Sequence, residues 1–135
     1  MRGLFIDTSG FYALEDKSDK NHPAAKIFWK EVAQKKIPLL TTDYIFDEAY
    51  TLLRSTLGYE KAIGFGESIK ESRVVQLVQV DEEIQDEAWE IAKNYGDKDF
   101  SFTDCTSFVV MTHMGLNESF SFDQHFKEYG FLNKP

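Results

Sequence analysis

The run Leu4-Phe5-Ile6-Asp7-Thr8-Ser9 passes in one step from three apolar residues to three residues that cap helices well. A short buried strand feeding straight into a helix is the opening of a βαβ unit, and the chain beyond it repeats the pattern. In KSDKNHPAAKIFWKEVAQKK, Pro23 suits a first helical turn, Asn21 or His22 lies near the cap, and Lys35-Lys36 suit the last turn. Pro38 stops that helix, and Leu39-Leu40-Thr41 reads as a second strand. A helix is predicted from about Asp43 to Leu57, ended by Gly58. Another is predicted from about Glu60 to Ser72, weakened at Gly64 and Gly66 by roughly 1 kcal/mol each relative to Ala. Val74 to Val80 carries the strongest strand signal.

The second half continues the alternation. DEEIQDEAWEIAKNY is capped by Asp81, has acids in its first turn, and aligns Ile84, Ala88, Ile91, Ala92 and Tyr95 in one stripe. The loop Gly96-Asp97-Lys98-Asp99 leads to a helix from about Ser101 to Met114, closed by Gly115. Ser119-Phe120-Ser121-Phe122 alternates as the last strand, and Asp123 opens a final helical turn that ends at Gly130. Strands separated by helices imply an α/β fold: a single-domain parallel β-sheet, residues 1–135, flanked by helices on both faces. In such folds the binding crevice lies beyond the carboxyl ends of the strands.

Composition narrows the class. With 135 residues, 42% hydrophobic and 15% aromatic, the chain can bury a core without disulfides or structural metal. The single Cys105 excludes an internal disulfide and a multi-thiolate zinc site. The apolar run near the start ends at Asp7, too soon for a signal-peptide core, and no apolar stretch is long enough to span a bilayer. A cytoplasmic protein with no membrane contact is therefore expected. The net charge of −8 argues at first against a nucleic-acid substrate, because polyanion binding draws on basic groups. Asp81, Glu82, Glu83, Asp86, Glu87 and Glu90 lie together with no Lys or Arg among them, however, so most of that charge belongs to one solvated helix. Lys17, Lys20, Lys26, Lys30, Lys35 and Lys36 form a locally basic stretch.

Four acids stand out from the solvated ones. Asp7 follows the first strand, Asp123 follows the last, and Asp104 lies in the first turn of a helix that starts at the same edge. Glu48 falls within Ile45, Glu48, Ala49, Leu52 and Leu53, the spacing of one buried helical stripe, where a carboxylate is costly unless paired or bound to a cation. Each has a plain structural use: Asp7 and Asp123 as caps, Asp104 in the near capping box Ser101-x-x-Asp104, and Glu48 snorkelling at the stripe's edge or paired with Arg54 or a Lys. Their convergence on one sheet edge is the functional signal. Like charges gathered there require a counter-cation, and oxygen-only ligands point to Mg²⁺ or Mn²⁺. His22, His113 and His125 show no metal-ligand spacing and are read as surface or edge residues; His125, two residues after Asp123, is placed to touch substrate but is not assigned a catalytic role. Phe11, Tyr12 and Phe100 are candidates for stacking on bases.

FIDTSGFYAL, TTDYIFDEAYTLLR, FSFTDCTSFVVM and SFSFDQHFKEYGF together resemble the successive motifs of PIN-domain ribonucleases, most closely the VapC-type toxins of toxin–antitoxin pairs. The resemblance covers nearly the whole chain and implies a PIN-like α/β/α sandwich. It implies that Asp7, Glu48, Asp104 and Asp123 hold one or two Mg²⁺ or Mn²⁺ ions, with Glu48 rather than Asp47 at the family's glutamate position. Thr8 and Ser9 would line the site and orient Asp7, and Ser121, where the family often has Thr, would support the pocket. The implied activity is endonucleolytic cleavage of RNA leaving a 5′-phosphate. The implied partner is a small DNA-binding antitoxin that inserts a basic residue into the acidic pocket, and a second copy of the chain is a further candidate. The alternatives are a PIN nuclease of RNA maturation or turnover, a phosphoacceptor signalling domain, and a catalytically inactive interaction module. Against the phosphoacceptor, Asp7 is followed by Thr8 rather than a second acid.

Overall fold

Five strands pair in the order β3-β2-β1-β4-β5, every neighbouring pair parallel: β1 (Leu4–Ile6), β2 (Leu39–Thr42), β3 (Val75–Val78), β4 (Glu118–Phe120) and β5 (Leu132–Lys134). This is a computed structural model, which describes residues 3–135; Met1 and Arg2 of the expected 1–135 unit lie outside the described residues. The helices between the strands are α1 (Thr8–Glu15), α2 (His22–Gln34), α3 (Asp43–Leu57), α4 (Tyr59–Glu71), α5 (Glu82–Asn94), α6 (Phe102–His113) and α7 (Gln124–Tyr129). Among the described residues no helix is long and apolar enough to cross a membrane.

Both sheet faces are covered, as neighbouring positions on the central strands show. Phe5 pairs in register with Ser119, and Ile6 with Phe120, so the two pairs face opposite ways. The Phe5 ring lies 6.0 Å from Phe126 of α7, whereas the Phe120 ring lies 4.9 Å from Phe28 of α2. All residues of β1 and β2 are buried, including the polar Thr41 and Thr42, as in a parallel sheet covered on both sides.

Two local devices fix the edge that matters. Gly10, in the first turn of α1, passes so close to β4 that a Cβ there would stand 2.4 Å from the Phe120 carbonyl oxygen. Phe108 of α6 stacks on Tyr129 at 4.3 Å and meets Phe126 and Phe100 edge-on at 5.2 and 5.0 Å, which ties α6, α7 and the loop before α6 into one aromatic block.

Three expectations need correction. β4 is not the last strand: β5 follows it, and its one apolar residue, Leu132, is exposed, so its pairing through the backbone leaves no hydrophobic signal. The Val-rich run forms a strand only over Val75–Val78, at the sheet edge, while buried Val80 lies beyond it and donates its amide to Asp43 Oδ1 at 2.8 Å. Phe11 is core, packed edge-on against Phe65, and Phe100 belongs to the aromatic block, so neither is a free stacking platform.

Candidate metal centre

Strand order reverses between β1 and β4, and the segments leaving those two strands build the site. Asp7 ends β1 and caps α1: its Oδ1 accepts the Gly10 amide at 3.0 Å and the Ser9 hydroxyl at 2.8 Å. Its Oδ2 accepts the Ser121 hydroxyl at 2.8 Å. Ser121 follows β4 and also accepts the Asp123 amide at 3.0 Å, while Ser9 Oγ accepts the Phe122 amide at 2.9 Å. The two strand ends are thus stitched together through two hydroxyls.

α6 and α3 supply the other acids. Ser101 and Asp104 form a full capping box, with the Ser101 amide donating to Asp104 Oδ2 at 3.0 Å and the Asp104 amide to Ser101 Oγ at 2.9 Å. α3 is capped by Thr42, and Thr41 beside it donates to the Ile6 carbonyl at 2.9 Å, so α3 starts from the end of β1. Thr8 donates its hydroxyl to Glu48.

Asp7, Thr8, Ser9, Glu48, Asp104 and Asp123 all line one cleft of about 320 Å³, so the structure brings the four expected acids together. Asp47 does not line it. Glu48 corrects the buried-stripe expectation. Ile45, Ala49 and Leu53 are buried, but Glu48 is exposed and Leu52 partly so, because that flank of the stripe forms the cleft wall instead of facing the core. Tyr12, a candidate for stacking on bases, lines the same cleft, as do Asp19 and Asn21, which the sequence reading did not assign to a site.

The cleft's electrostatics follow from burial. Asp7 is only 3% exposed, and desolvation pushes its carboxyl up to about 7 against the hydrogen bonds from Gly10, Ser9 and Ser121, with the Asp123 charge adding to the rise. Burial also raises Asp104, again with Asp123 contributing. A pocket that holds acids against their preference for solvent favours a bound cation. The donors fit a hard divalent ion: carboxylates and hydroxyls dominate the lining, and among the described residues no lysine or arginine lines the cleft.

The histidines part company. His22 Nδ1 is 2.7 Å from the Ala13 carbonyl, and His113 Nε2 pairs with Glu87 at 2.7 Å, both away from the acids. His125, read as a surface or edge residue, instead stands at the site, with Nδ1 2.8 Å from Asp104 Oδ2 and 3.4 Å from Asp123 Oδ1. Burial opposes its charged form, but the pull of Asp123, the Asp104 hydrogen bond and Glu128 outweigh it and raise the imidazole above its ordinary range. Its position two residues after Asp123 was the one available signal. Cys105, beside Asp104, is fully buried, and desolvation followed by the Asp104 charge pushes its thiol up to about 11. Within the basic stretch, Lys35 pairs with Glu31 at 2.8 Å, and Lys36 lines a separate groove where β2 and β3 begin.

Residues 4–132 match the PIN domain family. The chain is 33% identical over 129 residues to the 23S rRNA-specific endonuclease VapC20 of Mycobacterium tuberculosis, covering 96% of this chain and 95% of that protein. It is 35% identical over 127 residues to a VapC ribonuclease of Archaeoglobus fulgidus, covering 92% and 75%. The crystal structure of M. tuberculosis VapC20, described as a sarcin-ricin loop cleaving toxin, superposes with a TM-score of 0.89 at 32% identity over 96% of this chain and 97% of that one. FitAcB from Neisseria gonorrhoeae superposes with a TM-score of 0.69 at 13% identity, a likeness of fold alone, over 98% and 96%.

Proposed function

The chain belongs to the PIN-domain family, with VapC ribonucleases among its relatives, and from that premise we propose that it is a toxin-type endoribonuclease whose site is Asp7, Glu48, Asp104 and Asp123 with a divalent cation. The observation that carries this reading is the cleft itself, where acids from four separate segments meet beyond the ends of β1 and β4 and burial raises two of them.

Mg²⁺ or Mn²⁺ held there would lower the pKa of a bound water and offset charge on the phosphodiester. The chain's own part is positioning. Ser9 and Ser121 fix both oxygens of Asp7, Thr8 orients Glu48, and the capping box fixes Asp104. Apolar Ile45, Leu52 and Phe122 share the rest of the wall with Tyr12, Asp19 and Asn21. An RNA backbone is the polyanion that a cation-loaded acidic cleft receives, and cleavage would leave a 5′-phosphate.

The substrate class is tested with a defined RNA set that includes a sarcin-ricin stem-loop, chosen because a relative is described as cleaving that loop. Mn²⁺-dependent scission with 5′-phosphate ends supports the reading, and intact RNA throughout rejects it. We further propose a cytoplasmic location, a small DNA-binding antitoxin and a homodimer. Co-purification from a tagged operon tests the antitoxin, and sedimentation tests the dimer. The phosphoacceptor alternative is disfavoured by the absence of lysine from the cleft lining among the described residues.

A further inference from the structure

Asp104 and Asp123 come from different helices, α6 and the start of α7, and repel each other across the cleft. His125 lies between them. Its Nδ1 is 2.8 Å from Asp104 Oδ2 and 3.4 Å from Asp123 Oδ1, and one potential ligand atom from each of the three residues lies within 4.8 Å of the others. Facing ionised carboxylates, which only accept, Nδ1 carries the hydrogen. The ring is held from two sides: Phe100 meets it edge-on at 5.7 Å, and the His125 amide donates to Asp123 Oδ1 at 2.9 Å.

The hydrogen bonds divide each carboxylate into a held oxygen and a free one. Asp104 Oδ2 accepts from the Ser101 amide and from His125 Nδ1, and Asp123 Oδ1 accepts from the His125 amide. Among the described residues no hydrogen bond reaches Asp104 Oδ1 or Asp123 Oδ2. Partners of this kind around metal-binding groups fix orientation and commonly alter metal affinity or activity by about 10- to 100-fold.

We propose that His125 is a positioning residue of the metal site, its Nδ1–H holding Asp104 in place beside Asp123 so that one oxygen of each stays available to a divalent cation. This rests on the metal-site reading of the cleft.

The roles of the ring and of its hydrogen-bond donor separate in two variants of the full chain. His125→Phe keeps a ring to pack on Phe100 but loses the donor. His125→Asn loses the ring but keeps an N–H close to the position of Nδ1. Calorimetric titration with Mn²⁺ alone, paired with thermal melts, reads both properties. The proposal expects His125→Phe to bind Mn²⁺ about 10- to 100-fold more weakly while melting near the parent. It expects His125→Asn to bind close to the parent while melting lower. Parent-like Mn²⁺ affinity in His125→Phe, or affinities that follow the melting temperatures, overturns it. So does imidazole-nitrogen coupling in the electron spin-echo spectrum of the parent with Mn²⁺, which makes His125 a ligand instead. A parent that binds no Mn²⁺ overturns the metal-site reading as well, whereas a parent and His125→Phe that bind equally overturn only the role of His125.

Discussion

The Ser121 hydroxyl donates to Asp7 Oδ2 at 2.8 Å across 114 residues of sequence, and Ser121 Oγ in turn accepts the Asp123 amide at 3.0 Å. One buried side chain therefore couples the acid that ends β1 to the acid that follows β4.

Removing that coupling has a defined cost. Ser121→Ala leaves a buried carboxylate oxygen and the Asp123 amide without partners, a loss of about 1–3 kcal/mol of stability. It also removes one of the hydrogen bonds that lower the Asp7 carboxyl. Urea denaturation should show the destabilisation, and RNA cleavage should fall by about tenfold or more. Parent-like values in both measurements would show that the hydroxyl does not organise the site.

Asp7 makes stability depend on pH in a direction opposite to most acids. Its folded value near 7 lies above the ordinary 3.8, so the folded state holds the proton more tightly than the unfolded chain. The associated stability is complete below about pH 4 and is lost as pH rises through 7. In EDTA, Asp7→Asn should match the parent near pH 4 and exceed it at pH 8, by up to roughly 4 kcal/mol. The Asn oxygen can still accept from Gly10 and Ser9, and the Ser121 hydroxyl can rotate to accept from its amide. Mn²⁺ should narrow or reverse the difference by stabilising the parent selectively. Equal denaturation midpoints at pH 8 in EDTA would contradict the assigned burial of the charge.

Gly10 is required by contact, since its φ is not in the left-handed region. A methyl at Gly10 would lie 2.4 Å from the Phe120 carbonyl oxygen and 3.1 Å from Ile6 Cγ1. Gly10→Ala must push α1 away from β4, disturbing the amide that Asp7 accepts. A destabilisation of about 1–3 kcal/mol is expected in thermal or urea melts, with loss of cleavage. An unchanged melting temperature would mean that α1 does not pack as described.

Cys105 should be chemically silent. Its thiol is fully buried and pushed up to about 11, so almost no thiolate exists at neutral pH. Iodoacetamide should leave the native protein unmodified and alkylate it completely in urea, as mass spectrometry would show. Rapid native labelling would contradict the packing of α6.

The fold was legible wherever local chemistry and tertiary structure agree. Leu4-Phe5-Ile6 is buried on both faces, Asp7 both ends the strand and caps the helix, and Asp43–Leu57 ends where Gly58 turns at φ 100°. β5 was not legible, because Leu132–Lys134 lies at a sheet edge with its one apolar residue exposed, and its hold on β4 comes from backbone pairing and the Ser119–Asn133 side-chain hydrogen bond. Glu48 lines the cleft from an exposed position, not from within a buried stripe: helical periodicity finds an apolar stripe, yet cannot say that its Glu48–Leu52 flank borders a cleft. The nearness of His125 to Asp123 was legible, but its contact with Asp104 was not, because the two lie 21 residues apart on separate helices, a distance no motif spacing reports.

The central claim is that the carboxylates following β1 and β4, in the second turn of α3 and at the start of α6 work as one cation-dependent nuclease site. It is tested most directly by following cleavage of a defined RNA set with the parent, Asp7→Asn and Asp104→Asn, each in Mn²⁺ and in EDTA, with circular dichroism confirming the fold. The account predicts scission by the parent in Mn²⁺ only and none by either variant. Cleavage by the parent in EDTA, or by a folded variant at the parent's rate, would contradict it.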